Sequence, residues 1–118
     1  MKNKTKILVA DDNEDLRLIL KRQLTKRGHF VETASNGYEV ITYLRTNKAD
    51  IVILDLIMPE KGGIEIISAV KGLCPLVKII IYTGMASYQR SPYTKMVDKF
   101  VLKGGDIETL FKALDDLL

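Results

Sequence analysis

Histidine and cysteine each occur once in the 118 residues, and proline three times. The lone Cys74 cannot close an internal disulfide, so a reducing cytoplasm is the expected compartment. It follows a helical pattern and precedes Pro75, which suits a loop or packing role rather than a reactive thiol. Any histidine-based metal site or catalytic triad would rest on His29 alone, and that residue is expected in an exposed loop beside Gly28. No apolar run is long enough to span a membrane. Ile7-Leu8-Val9-Ala10, behind the basic Met1-Lys2-Asn3-Lys4-Thr5-Lys6, is too short for a signal peptide. A Walker-type phosphate loop and a Gly-rich dinucleotide turn are both missing. Charge of one sign is scarce too, with a net value of +3. Lys21, Arg22, Lys26 and Arg27 do cluster, but at a helix end where cations complement the macrodipole, so no direct nucleic-acid binding is expected. No linker, repeat or low-complexity tract divides the chain. With 47% hydrophobic and 28% charged residues it reads as one globular domain over 1–118, with no effector domain visible.

What the chain does have is a set of short apolar runs, each ending in a polar residue. Ile51-Val52-Ile53-Leu54 suits a strand buried on both faces, and Asp55 follows at once. Lys6 to Ala10 is a first strand ending in Asp11-Asp12, and Phe30 to Ala34 a second. Val77 to Tyr82 runs into Thr83-Gly84, and Phe100 to Leu102 into Lys103. Helical periodicity separates them. Leu16, Ile19, Leu20 and Leu24 share a face between Asn13 and Arg27. Val40, Ile41 and Leu44 mark a second helix, 64–70 a third, and Ile107, Leu110, Phe111, Leu114 and Leu117 a last one capped by Asp106. Between Met85 and Asp98, Ser91-Pro92 predicts the start of a short helix with Met96 and Val97 as its apolar contacts, after a long, mobile loop over 85–90.

Five strands alternating with five helices predict a parallel α/β sheet with right-handed crossovers. Ligands in such sheets sit beyond the carboxyl ends of the strands. Asp11, Asp12, Asp55, Thr83 and Lys103 all fall on that edge. Crowded carboxylates repel by roughly 4 kcal/mol per pair at about 4 Å and an effective dielectric near 20. A hard cation relieves this, and Mg²⁺ takes carboxylate, water and phosphate oxygens. An aspartate can also be a nucleophile, forming an aspartyl phosphate. Charge on the transferring group would then be met by the cation, by the Lys103 ammonium and by the Thr83 hydroxyl.

Together, Val9-Ala10-Asp11-Asp12-Asn13, Ala34-Ser35-Asn36-Gly37, Leu54-Asp55-Leu56-Ile57-Met58-Pro59 with Gly62-Gly63, Tyr82-Thr83-Gly84 and Lys103 resemble the receiver domains of two-component response regulators. The resemblance covers essentially the whole chain. It implies a flavodoxin-like (βα)5 fold with strand order 2-1-3-4-5, a topology well known from this very family. It implies that Asp55 accepts a phosphoryl group from the phosphohistidine of a sensor histidine kinase or phosphotransfer protein, as a switch acting on a downstream target. Asp11, Asp12 and Asp55 would hold Mg²⁺ with the Ile57 carbonyl, and Thr83 and Phe100 match the family's switch pair.

Two departures stand out. Gly104 follows Lys103 where the family commonly has proline, often cis, so a trans Lys103-Gly104 bond is expected. The stretch from Gly84 to Lys99 is short, is broken by Pro92 and lacks the family's usual Gly-Ala. A rival reading is a receiver-like interaction module that is not phosphorylated. An aspartate-nucleophile phosphatase is disfavoured because Ile57 stands where such an enzyme commonly has a second aspartate. In the family the side chains two residues beyond the phosphorylated aspartate and the switch threonine flank the approach of water; here they are the apolar Ile57 and Met85, which predicts a long-lived phosphorylated state.

Overall fold

The computed structural model describes residues 4–118. Met1, Lys2 and Asn3, part of the basic N-terminal stretch, lie outside the described residues. Five parallel strands, β1 (Lys6–Ala10), β2 (Phe30–Ala34), β3 (Ile51–Leu54), β4 (Lys78–Thr83) and β5 (Lys99–Leu102), form one sheet in the order β2-β1-β3-β4-β5. The helices α1 (Glu14–Lys26), α2 (Gly37–Thr46), α3 (Gly63–Leu73) and α4 (Glu108–Asp116) cover both faces. β3 is buried at all four positions, as its unbroken apolar run requires.

Side-chain alternation along the strands divides the core in two. Leu8, Val52, Leu54, Ile79 and Ile81 face α2 and α3 through Val40, Leu44, Ile66, Ile67 and Val70. Ile7, Val9, Ile51, Ile53, Ile80, Tyr82 and Val101 face α1 and α4 through Leu20, Leu24, Leu110, Phe111 and Leu114. Both Asn-initiated helices are capped by side chains: the Asn13 carbonyl accepts from Leu16 N–H at 3.1 Å and that of Asn36 from Glu39 N–H at 2.9 Å. Asp106 accepts from Glu108 N–H at 3.0 Å as α4 begins.

Four α-helices are present among the described residues, not five. In place of the remaining one, two short 3-10 turns span Ala86–Arg90 and Pro92–Met96. Proline explains the break: it has no N–H to donate and it holds the preceding Ser91 extended, at ψ 152°. The Ser91 side chain caps the second turn by accepting from Tyr93 N–H at 3.1 Å. Met96 and Val97 pack half-buried on the α2/α3 side of the core, as expected. The first turn gives order to residues expected to be a loop. Two further expectations fail. Ile19 is 48% exposed, because one residue is about 100° of helical arc and the buried stripe is Leu16, Leu20 and Leu24. His29 is half-buried rather than exposed.

Candidate functional site

The ladder brings the strand ends level. Asp55 N–H donates to Ala10 O at 3.0 Å, Asp11 N–H to Ala34 O at 3.0 Å, and Lys103 N–H to Thr83 O at 2.8 Å. Asp11, Asp55 and Thr83 are buried, whereas Asp12 is exposed. Three of these ends close in the same way, with a side-chain oxygen accepting the N–H two residues on. Asp11 Oδ1 takes Asn13 N–H at 2.9 Å, Asp55 Oδ1 takes Ile57 N–H at 3.3 Å, and Thr83 Oγ1 takes Met85 N–H at 3.4 Å. These Asx- and Thr-type turns set each side chain's direction where the strand ends. Arg17, on α1, adds a 2.8 Å bond from its guanidinium to the Asp11 carbonyl.

The second oxygens of the two buried aspartates meet one cation. Lys103 Nζ lies 2.5 Å from Asp11 Oδ2 and 2.9 Å from Asp55 Oδ2. Burial raises the Asp11 carboxyl above its ordinary value, with the neighbouring Asp55 adding to the shift, against the opposing pull of Lys103 and of Asn13 N–H. Burial also works against the Lys103 ammonium, but its hydrogen bonds to Asp11 and Asp55 outweigh this and raise its pKa. Carboxylate oxygens of Asp11, Asp12 and Asp55 lie within 4.8 Å of one another. Three carboxylates against one ammonium leave negative charge uncompensated, and an all-oxygen donor set of this kind fits Mg²⁺.

The β3–α3 connection folds tightly over Asp55. A Cβ at Gly63 would sit 2.3 Å from the Asp55 carbonyl oxygen, so only glycine lets α3 start so close to it. Ile57 lies in this connection, and its side chain is 49% exposed; that of Met85 is 42% exposed. Phe100 is half-buried against the α2/α3 side of the core and is in register with Ile81, so by alternation it shares a sheet face with Thr83. After Lys103 the chain turns through Gly104 at φ +97°, and there is no cis bond among the described residues. Arg17 was not singled out from the sequence, and Gly63 and Tyr82, whose ring lies beside Lys103, were read there only as parts of motifs, with no role of their own. The signal available for Tyr82 was its alternation onto the same face as Lys103.

Residues 7–115 match the family model for the response regulator receiver domain. The chain is 32% identical over 114 residues to the transcriptional regulatory protein GlrR of Escherichia coli, covering 95% of this chain and 26% of that protein. It thus spans about a quarter of that relative's length. Among solved structures, the response regulator protein TrrA from Thermotoga maritima, in complex with Mg²⁺ and BeF, superposes with a TM-score of 0.89 at 31% identity, covering 97% of this chain and 99% of that one. A Burkholderia pseudomallei response regulator protein with a phosphorylated aspartic acid, a calcium ion and citrate gives a TM-score of 0.85 at 27% identity, over 94% of this chain and 66% of that one. An open parallel sheet with an acid cluster and one lysine at its carboxyl edge defines a class of phosphoacceptor signalling domain. The chain belongs to the response regulator receiver family. No helix among the described residues is long and apolar enough to cross a membrane.

Proposed function

We propose that Asp55 is the phosphoacceptor of this receiver domain and that residues 1–118 act as one unit. The observation that carries the reading is the convergence of Asp11, Asp55 and Lys103 in one contact network at the carboxyl edge of the sheet. An Asp55 carboxylate oxygen attacks the phosphorus of a phosphohistidine on a sensor kinase or phosphotransfer partner. The P–N bond breaks and its electron pair stays on the imidazole nitrogen. Asp11, Asp12 and Asp55, with the Ile57 carbonyl, hold Mg²⁺, which supplies charge neutralisation for the phosphoryl oxygens. Lys103 pairs with a second oxygen and the Thr83 hydroxyl donates to a third. Thr83 and Phe100 then change position together and alter the surface offered to a downstream target.

Apart from Mg²⁺, the groups needed for the transfer lie in this chain, so the domain catalyses its own phosphorylation from small donors and its own dephosphorylation. The test is acetyl phosphate with and without Mg²⁺, followed by intact mass and peptide mapping. The expected result is a single Mg²⁺-dependent phosphoryl addition on Asp55. A folded, Mg²⁺-loaded protein that gains no mass, or gains it elsewhere, overturns the assignment and favours a non-phosphorylated interaction module.

A further inference from the structure

In the structure Lys103 has two anionic partners, Asp11 and Asp55. Both would be claimed by cation and phosphoryl group in the loaded state, so the lysine must be aimed by something else. Its backbone is tied to Thr83 O, but the side chain gets no support from the next residue, Gly104, which follows at φ +97° with no side chain to pack. A four-carbon stem leaves the ammonium several rotamers.

Tyr82 is a further neighbour of the ammonium. Tyr82 is in register with Val101, two residues before Lys103, so alternation puts both side chains on the α1/α4 face. The Lys103 Nζ lies over the Tyr82 ring, 5.7 Å from its centroid, within the range of a cation–π contact. Tyr82 is only 7% exposed and packs in the cluster that holds Val9, Leu20, Ile80 and Val101. Burial raises the pKa of its phenol further above the ordinary tyrosine value.

We propose that Tyr82 is a positioning residue, whose ring face backs the Lys103 ammonium and aims it at the phosphoryl group on Asp55. This rests on the phosphoacceptor reading. A purely packing role for Tyr82 predicts instead that any apolar side chain of similar bulk serves equally well.

The test is calorimetry on the whole chain with two probes, Mg²⁺ alone and beryllofluoride in saturating Mg²⁺, using Tyr82→Leu and Tyr82→Phe. Tyr82→Leu should weaken beryllofluoride binding about threefold to tenfold and leave Mg²⁺ affinity within about twofold, because Lys103 meets the anion and not the metal. Tyr82→Phe, which keeps a ring face, should restore beryllofluoride binding to about the parent value. In a Lys103→Met background, Tyr82→Leu should have no further effect on the anion. Thermal melts in Mg²⁺ set the temperature at which each variant is fully folded, so a loss of packing is not read as a loss of aim. Unchanged beryllofluoride affinity in folded Tyr82→Leu, an equal weakening of both probes, or an effect that persists without Lys103 overturns the positioning role and leaves phosphoacceptance standing. A parent that binds Mg²⁺ but not beryllofluoride overturns both.

Discussion

Aspartates stand at both ends of this sheet, and they are used differently. At the amino end, Asp50 Oδ2 accepts Lys6 N–H at 2.8 Å while Asp50 N–H donates to Lys6 O at 2.8 Å. Asp98 repeats the arrangement with Ile79, at 2.8 and 2.9 Å. Both are exposed and answer backbone donors that open a strand. At the carboxyl end, Asp11 and Asp55 are buried, and each gives only one oxygen to the backbone. Their other oxygens converge on a single lysine. One end thus satisfies its own chain. The other concentrates charge that a ligand can complete.

The most direct way to break the comparison is to exchange the losses. Asp55→Asn should abolish labelling by acetyl phosphate while the domain stays folded, since Ile51, Val52, Ile53 and Leu54 hold β3 without it. Asp98→Ala should do the reverse, leaving labelling intact and lowering stability by about 1 kcal/mol. Labelling followed by mass spectrometry, and denaturant melts of both variants, check the pair. Persistent labelling of folded Asp55→Asn would remove the functional half of the contrast.

Asp12→Ala tests the same contrast through the metal. It should weaken Mg²⁺ binding by about tenfold or more and raise metal-free stability slightly, because one of three crowded carboxylates has gone. Calorimetry and melts with and without Mg²⁺ read both halves. Equal Mg²⁺ affinity in variant and parent would deny the cluster its role.

A smaller effect concerns the rim. Ile57 and Met85 have backbones tied to Asp55 and Thr83, and neither side chain can orient a water. The phosphorylated state should be long-lived, and Ile57→Asn with Met85→Glu should hasten loss of phosphate about tenfold after donor removal. A double variant no faster than the parent would show that these side chains do not set the lifetime.

Glu39 sharpens the comparison with the least effect. It lies near the carboxyl edge but behaves like the amino-end aspartates, accepting from Ser35 N–H at 2.6 Å and Ser35 O–H at 2.8 Å. Those two bonds lower its pKa below the ordinary value of 4.5. Its stabilisation is therefore complete above about pH 4.5 and is lost as pH falls through the lowered folded-state value. Glu39→Gln should melt below the parent at neutral pH, and the gap should close as acid protonates the parent's carboxylate. A gap that stays constant with pH would assign the effect to packing.

The strands and the acidic residues that end them were legible because apolar runs and their polar ends are local signals; the strand order came only through the resemblance to receiver domains, and the trans bond at Gly104 from the lack of proline there. The segment over 86–96 was half legible: Pro92 and Ser91 marked a cap, but whether one helix or two short turns would form depends on how Tyr88 and Met96 pack against the α2/α3 side of the core. Ile19 misled because an apolar residue at helical spacing need not lie on the stripe that the sheet covers. Tyr82 was read only as part of a motif because its relation to Lys103 arises only when β4 and β5 pair.

Alternation along β4 has one last consequence. Asp11, Asp55, Tyr82 and Lys103 continue the α1/α4 face of the sheet, whereas Thr83 continues the opposite one, with Ile81 and Phe100. A phosphoryl group bridging Asp55, Lys103 and Thr83 would therefore straddle the sheet plane. On the proposed reading, its arrival on one side would be felt as a tug on the other, and Thr83 would be the point at which the signal crosses the sheet.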